Sequence, residues 1–178
     1  MANPSITQYA DAADGQISHS AGSWASVRGA ATGSSRDKTS AFVNAVQVQN
    51  DTGTYYIDRY FLAFDTSAIP DGAAVISATL SFQLRSRVQS GVDAGVCLVE
   101  GTQASATDLT TADFGSVGST ELATRTGNIT GLSTANYTVF TLNASGLALI
   151  NKTGFTKYAL RHARDFDNSA PTLGTYQI

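Results

Sequence analysis

The chain has 178 residues, 42% of them hydrophobic, but only 14% Asp, Glu, Lys and Arg, with a formal net charge of −3. That length suits one domain, residues 1–178, able to bury roughly 70% of its unfolded surface. Long amphipathic helices need more charge, nucleic acid needs a basic stripe, and a membrane span needs ~18–20 apolar residues in a row; none is visible, so the expectation is an all-β chain with no nucleic-acid partner and no membrane span.

The opening residues, MANPSITQYADAADGQ, lack a basic region followed by an apolar run, so no secretory signal is visible. Residues 6–10 and 16–19 are strand candidates split by the turn-like Asp11, Asp14 and Gly15. WASVR at 24–28 is a third, followed by a small, polar surface loop over 29–40. Residues 41–49 alternate as a strand. The strongest signal is 55–64, where Tyr56, Tyr60, Leu62 and Phe64 fill one alternation set and Tyr55, Ile57, Phe61 and Ala63 the other. Apolar residues in both sets mean a strand covered on both faces. Ile69-Pro70-Asp71-Gly72 reads as a turn, with Gly72 accepting positive φ, and leads to a one-sided strand over 79–87 that buries Leu80, Phe82 and Leu84.

Residues 96–100 form a short apolar strand, and 101–118 an irregular excursion with one helical turn near 109–114. YTVFTL at 137–142 returns to strand, and NASGLALINK at 143–152 is the one helical piece, capped by Asn143 or Ser145 and stopped by Gly154. A strand over 155–161, a turn over 165–171 and a strand from 175 complete nine or ten strands. The expected architecture is a jelly-roll-like two-sheet antiparallel β-sandwich with one short helix.

Chemistry-bearing residues are few. Cys97 is the single cysteine, so no internal disulfide exists, and its apolar neighbours mark it as a buried structural thiol. With two histidines and no HExxH, GxSxG, CxxC or phosphate-loop signature, the usual catalytic and metal frameworks are absent and a non-enzymatic role is expected. Asp165 and Asp167 are weak candidates to supply oxygen ligands to Ca²⁺ as a cofactor, against the simpler role of turn capping. Trp24, Tyr55 and Tyr56 are candidates for a sugar-stacking platform or a subunit interface, against ordinary packing. Five of the eight asparagines, Asn50, Asn128, Asn136, Asn143 and Asn151, sit in Asn-x-Ser/Thr as candidate glycan acceptors, against the reading that they stay bare in a Thr-rich chain with no visible signal peptide.

The run FLAFDTSAIPDGAAVISATLSFQL resembles the hallmark of DNRLRE-type β-sandwich domains and their carbohydrate-binding-module-like relatives: an aromatic strand ending in Phe-Asp, a Ser-Ile-Pro corner and "ATLSL". FTLNASGLALINKTGFTKYALRHARDFDNSAPT is similar to the family's short helix, Lys-Thr-Gly turn and arginine-bearing strand, and DGQISHSAGSWASVRGAATG to its opening. The resemblance implies a jelly roll found in secreted and cell-surface proteins and in phage or environmental virion and filament proteins. Members continue past Asn-Ser-Ala-Pro through two more strands, whereas this chain stops at Tyr176-Gln177-Ile178. A lacking strand would leave an open edge for a neighbouring subunit to fill by strand addition, with residues 1–10 as the donor arm; a sheet that closes differently, or a sequence that ends early, is the other reading. The leading expectation is therefore a self-assembling structural subunit, its partner itself or a capsid or tail protein, located in a virion or on an extracellular surface. A carbohydrate-binding module, with glycans as partners, is the alternative.

Overall fold

The computed structural model describes residues 5–10, 14–38, 46–89 and 94–178. Among them ten strands pair antiparallel in two sheets, giving an all-β sandwich. The strands are β1 (Gly15–Ala21), β2 (Ser35–Asp37), β3 (Gln47–Asp51), β4 (Thr54–Asp65), β5 (Thr79–Gln83), β6 (Val88–Gln89), β7 (Val96–Glu100), β8 (Tyr137–Thr141), β9 (Phe155–His162) and β10 (Gly174–Gln177). Three short helices join them: α1 (Trp24–Gly29), α2 (Ala144–Ala148) and α3 (Ala163–Phe166).

The twelve-residue β4 is the hub. It pairs β1 over Tyr55–Phe61 along one edge; along the other, β3 takes Thr54–Asp58 and β9 takes Tyr60–Asp65. Both faces are covered, as its two apolar alternation sets require. Leu62, with Tyr60 and Phe64, packs among Leu80, Leu84, Leu98, Phe140 and Leu160; Ile57 and Phe61, with Tyr55, pack among Ile17, Val27, Val48, Cys97, Phe114 and Tyr176. The two-stranded β5–β8 sheet lies over the first cluster, its Leu80 and Phe140 buried and the Phe82 and Phe140 rings stacked 5.7 Å apart, while Ser81 and Gln83 face water. The β3–β4 connection is a two-residue loop in which Thr52 (φ 48°) and Gly53 (φ 97°) both take left-handed backbone, the geometry that matches strand twist in a tight hairpin.

Several expectations are corrected. Trp24–Gly29 is a helix rather than a strand, because the extended Ser23 caps it: its Oγ accepts the Ser26 N–H at 3.2 Å, outweighing the β preference of Trp and Val in so short a stretch. Residues 6–10 form no strand and are wholly exposed, and the 29–40 loop contains β2, which pairs with β1. Residues 1–4 of the suggested arm, and 41–45 of the expected strand, lie outside the described residues. Gly72 does not take positive φ; the corner closes instead by Ala73 N–H donating to Pro70 O at 2.8 Å, one residue later than the sequence suggests. The expected turn at 165–171 begins as α3. The last strand is not at an open edge: β10 lies between β3 and β6, paired on both sides. The excursion after β7 covers that strand's outer edge, Gly118, Leu122 and Thr126 donating to Glu100, Leu98 and Val96 carbonyls at 2.8 to 3.0 Å.

Candidate functional site

The densest polar construction in the described structure forms where β9 runs into α3. His162 ends the strand in extended backbone, and its Nδ1 accepts the Arg164 N–H at 3.1 Å, starting the helical turn. That turn carries Asp165 back beneath Arg161, four residues earlier, and against Arg59 from the middle of β4. Arg59 donates from Nε and Nη2 to Asp165 Oδ2 and Oδ1 at 2.9 and 2.8 Å; Arg161 donates the same way at 2.9 Å to each oxygen. Two planar forks thus grip one carboxylate, the geometry that guanidinium permits and ammonium does not. Arg28, from α1, joins the cluster by donating to the Asp165 and Phe166 carbonyls at 2.7 and 3.4 Å.

Asp165 is fully buried, with Arg59 and Arg161 nearly so. Burial alone would raise its carboxyl, but the N–H groups and charges of Arg59 and Arg161 more than offset this and hold it at about 2. The remaining N–H groups go largely to main chain. Arg59 donates to the Phe114 and Arg28 carbonyls, and lies 4.3 Å over the Phe114 ring; Arg161 donates to Gly118 O and to Asp165 O. Beside them opens a recess of about 540 Å³, lined by the three arginines, by small residues of the α1 end such as Gly29 and Ala30, and by Gly115, Ser116 and Ser119.

Trp24 stands one helical turn before Arg28 on α1. Its ring packs 6.0 Å from that of Tyr55, and its indole N–H donates to Asn168 Oδ1 at 3.0 Å, Asn168 being held in left-handed backbone (φ 56°) just past α3. The structure therefore brings Trp24 and Tyr55 together, both half-buried, while the alternation of β4 sends Tyr56 to the other face.

Asp165 and Asp167 do not converge on a cation. Asp165 spends both oxygens on Arg59 and Arg161, and Asp167 is bound by Arg125 through two N–H groups at 2.6 and 2.9 Å. Among the described residues no group of three or more His, Cys, Asp or Glu is placed to hold a metal. The sequon asparagines divide. Asn50 donates to Pro171 O and accepts from Gly53 N–H; Asn143 caps α2; Asn151 accepts from Thr153. Asn128 and Asn136 stand exposed on loops; Asn143 and Asn151 are exposed as well, and only Asn50 is half-buried. Cys97 is buried, its thiol pushed well up by burial and by the hydrogen bond it donates to Glu121, which matches an inert structural thiol. His19 pairs with the Ser34 hydroxyl at 2.9 Å.

Arg28, Arg59 and Arg161 did not stand out from the sequence, although a signal was present: Arg59 interrupts the aromatic run YYIDRYFLAF and Arg161 the apolar run YALRH. A charge inside a two-sided buried strand must be paired, so each foretold a partner that only the fold could name. Neither a family model, nor a curated protein, nor a solved structure matches the chain. What the structure defines is an all-β sandwich with an arginine-clamped carboxylate beside an open, positively charged recess.

Proposed function

We propose that this protein is a non-enzymatic structural subunit that self-assembles, as a virion component (decoration, capsid-associated or fibre protein) or as the protomer of an extracellular filament. The observation that carries the reading is apolar surface exposed among the described residues. Residues 5–10 are exposed throughout, with Ile6 at 47% and Tyr9 at 86%, and the outer face of the β5–β8 sheet presents Tyr137 at 67% and Val139 at 53%. Among the described residues that sheet has two strands and its outer edges are unpaired, which is where an added strand gains main-chain hydrogen bonds. The occupant we assign is the 1–10 arm of a second copy, and the jelly-roll winding implied by the family resemblance belongs to the same reading. Light scattering, with electron microscopy of the same sample, should show rings, oligomers or fibres at micromolar protein. Ile6→Ser with Tyr9→Ser should reduce these to monomer. A clean monomer in the parent protein, or assembly unchanged in the double variant, would remove strand donation. A carbohydrate-binding module is the second reading, favoured by the Trp24–Tyr55 pair.

A further inference from the structure

Arg28, Arg59 and Arg161 bring three positive charges to the single carboxylate of Asp165, which leaves two in excess. Among the described residues no second carboxylate is in ion-pair contact with any of the three. Asp167 and Glu121 pair with Arg125, and Asp113 accepts from Thr110 and the Ala104 N–H. The main-chain carbonyls that the arginines also hold satisfy N–H groups but bring no net charge. Donor counting locates what is left over. A guanidinium has five N–H groups. Arg59 and Arg161 each spend Nε–H and both Nη2 N–H groups on Asp165 or a neighbouring carbonyl, and one Nη1 N–H on Phe114 O or Gly118 O. One Nη1 N–H therefore remains on each buried fork. Arg28 spends only Nε–H and one Nη2 N–H, so it keeps three. All three side chains line the same recess.

The walls of that recess are tied to one another. One is the end of α1 with the residues just after it, and the other is the segment from 112 to 119. Gly115 N–H donates to Ala31 O at 3.2 Å across the gap, and a Cβ on Gly115 would meet Ala31 Cα and O at 3.3 Å, so glycine permits the close approach. Arg59 holds a carbonyl from each wall, Arg28 O at 3.1 Å and Phe114 O at 2.9 Å, and Arg161 holds Gly118 O at 3.0 Å. The donors are thus fixed before any ligand arrives, which lowers the ordering cost of binding. Ser116 and Ser119 add hydroxyls at the same recess.

Two surplus positive charges on planar donors with unspent N–H groups match an anion of two negative charges and several acceptor oxygens better than they match a monoanion. We propose that the recess binds a tetrahedral dianion, a phosphate or sulfate group, held by Arg28, Arg59 and Arg161 with Ser116 and Ser119. The site does not rest on self-assembly and holds equally for a monomer. Phosphate and sulfate stabilise folded proteins generally by exclusion from their surfaces, so the test reads the site and not the melting temperature. The whole protein is titrated calorimetrically at about pH 8, where phosphate is a dianion, with inorganic phosphate, inorganic sulfate, O-phosphoserine and acetate. The NMR signals of the arginine Nε–H groups are followed in parallel. Phosphate and sulfate should each bind at one per chain, on the order of tenfold more tightly than acetate at matched ionic strength, and should weaken as salt rises. They should also move the Arg28, Arg59 and Arg161 signals. Ser119→Glu adds a negative charge at an exposed position of the recess and Arg28→Gln removes a positive one, so each should lower both affinities on the order of tenfold. O-phosphoserine binding at least as tightly as inorganic phosphate would assign the group to a larger phosphorylated molecule, and weaker binding would assign the free ion. Acetate binding as tightly as sulfate would overturn the dianion. Absence of saturable binding by every anion, or unchanged affinity in a folded Ser119→Glu variant, would overturn the site and leave the arginines a purely structural brace.

Discussion

At Asp165 a single side chain holds three elements together, since Arg59 comes from β4, Arg161 from β9 and Arg28 from α1. Removing a buried charge while leaving its partners is costly because the stranded charges cannot reach water. Asp165→Asn keeps the shape but strands two guanidinium groups, and should lower the unfolding free energy by about 3–5 kcal/mol in denaturant titration. Arg125→Gln breaks its ion pairs with Asp167 and Glu121, whose side chains are 46% and 29% exposed, so it should cost only about 1 kcal/mol. Equal effects from the two variants would mean that Asp165 is far better hydrated than its burial implies. The sequence marked Asp165 as an acidic turn residue and a weak Ca²⁺ candidate rather than as an arginine partner, since its two main partners lie 106 positions away and four positions back.

Among the elements, α2 shows how far local signals reach. Asn143 was legible as a cap, and its Oδ1 does accept the Gly146 N–H at 3.0 Å, with its Nδ2 donating to Glu121 O at 2.9 Å. The helix nevertheless ends at Ala148, well before Gly154. Asn143→Ala should cost about 1 kcal/mol, toward 2 if the Glu121 contact counts, whereas Asn128→Ala, at a 3₁₀ turn with no side-chain cap, should be near neutral. Thermal unfolding of the two variants side by side checks this, and equal losses would deny α2 its cap. At α1 a side-chain cap of the same kind, from Ser23, went unread because Trp and Val suggested a strand; both segments are too short for periodicity to arbitrate.

Over the whole molecule, two buried aspartates oppose each other in pH dependence. Burial pushes Asp58, on β4, up from an ordinary 3.8 to about 7, a hydrogen bond from Ser18 only partly offsetting it. The folded state therefore retains a proton that the unfolded chain releases near pH 4, so this group makes stability fall as pH rises from about 4 to about 7. Asp165, held at about 2, contributes stability that is complete above about pH 4 and lost as pH falls toward 2. Through these two groups stability should peak in mildly acidic solution. Asp58→Asn should flatten the decline between about pH 4 and 7 and leave the acid limb unchanged, as read from denaturant midpoints across pH; an unaltered neutral limb would mean that Asp58 titrates as an ordinary carboxyl. The sequence by itself determined the β class, the two-sided burial of β4, the one-sided β5 and the buried thiol of Cys97, because alternation and side-chain size act within a few residues. Only the tertiary structure decided that β10 would be closed in between β3 and β6, that Trp24 would meet Tyr55 rather than Tyr56, and that three arginines would gather on one carboxylate. Each of these joins residues far apart in the chain, where pairing is settled by which buried charges and sheet edges the whole fold must satisfy at once.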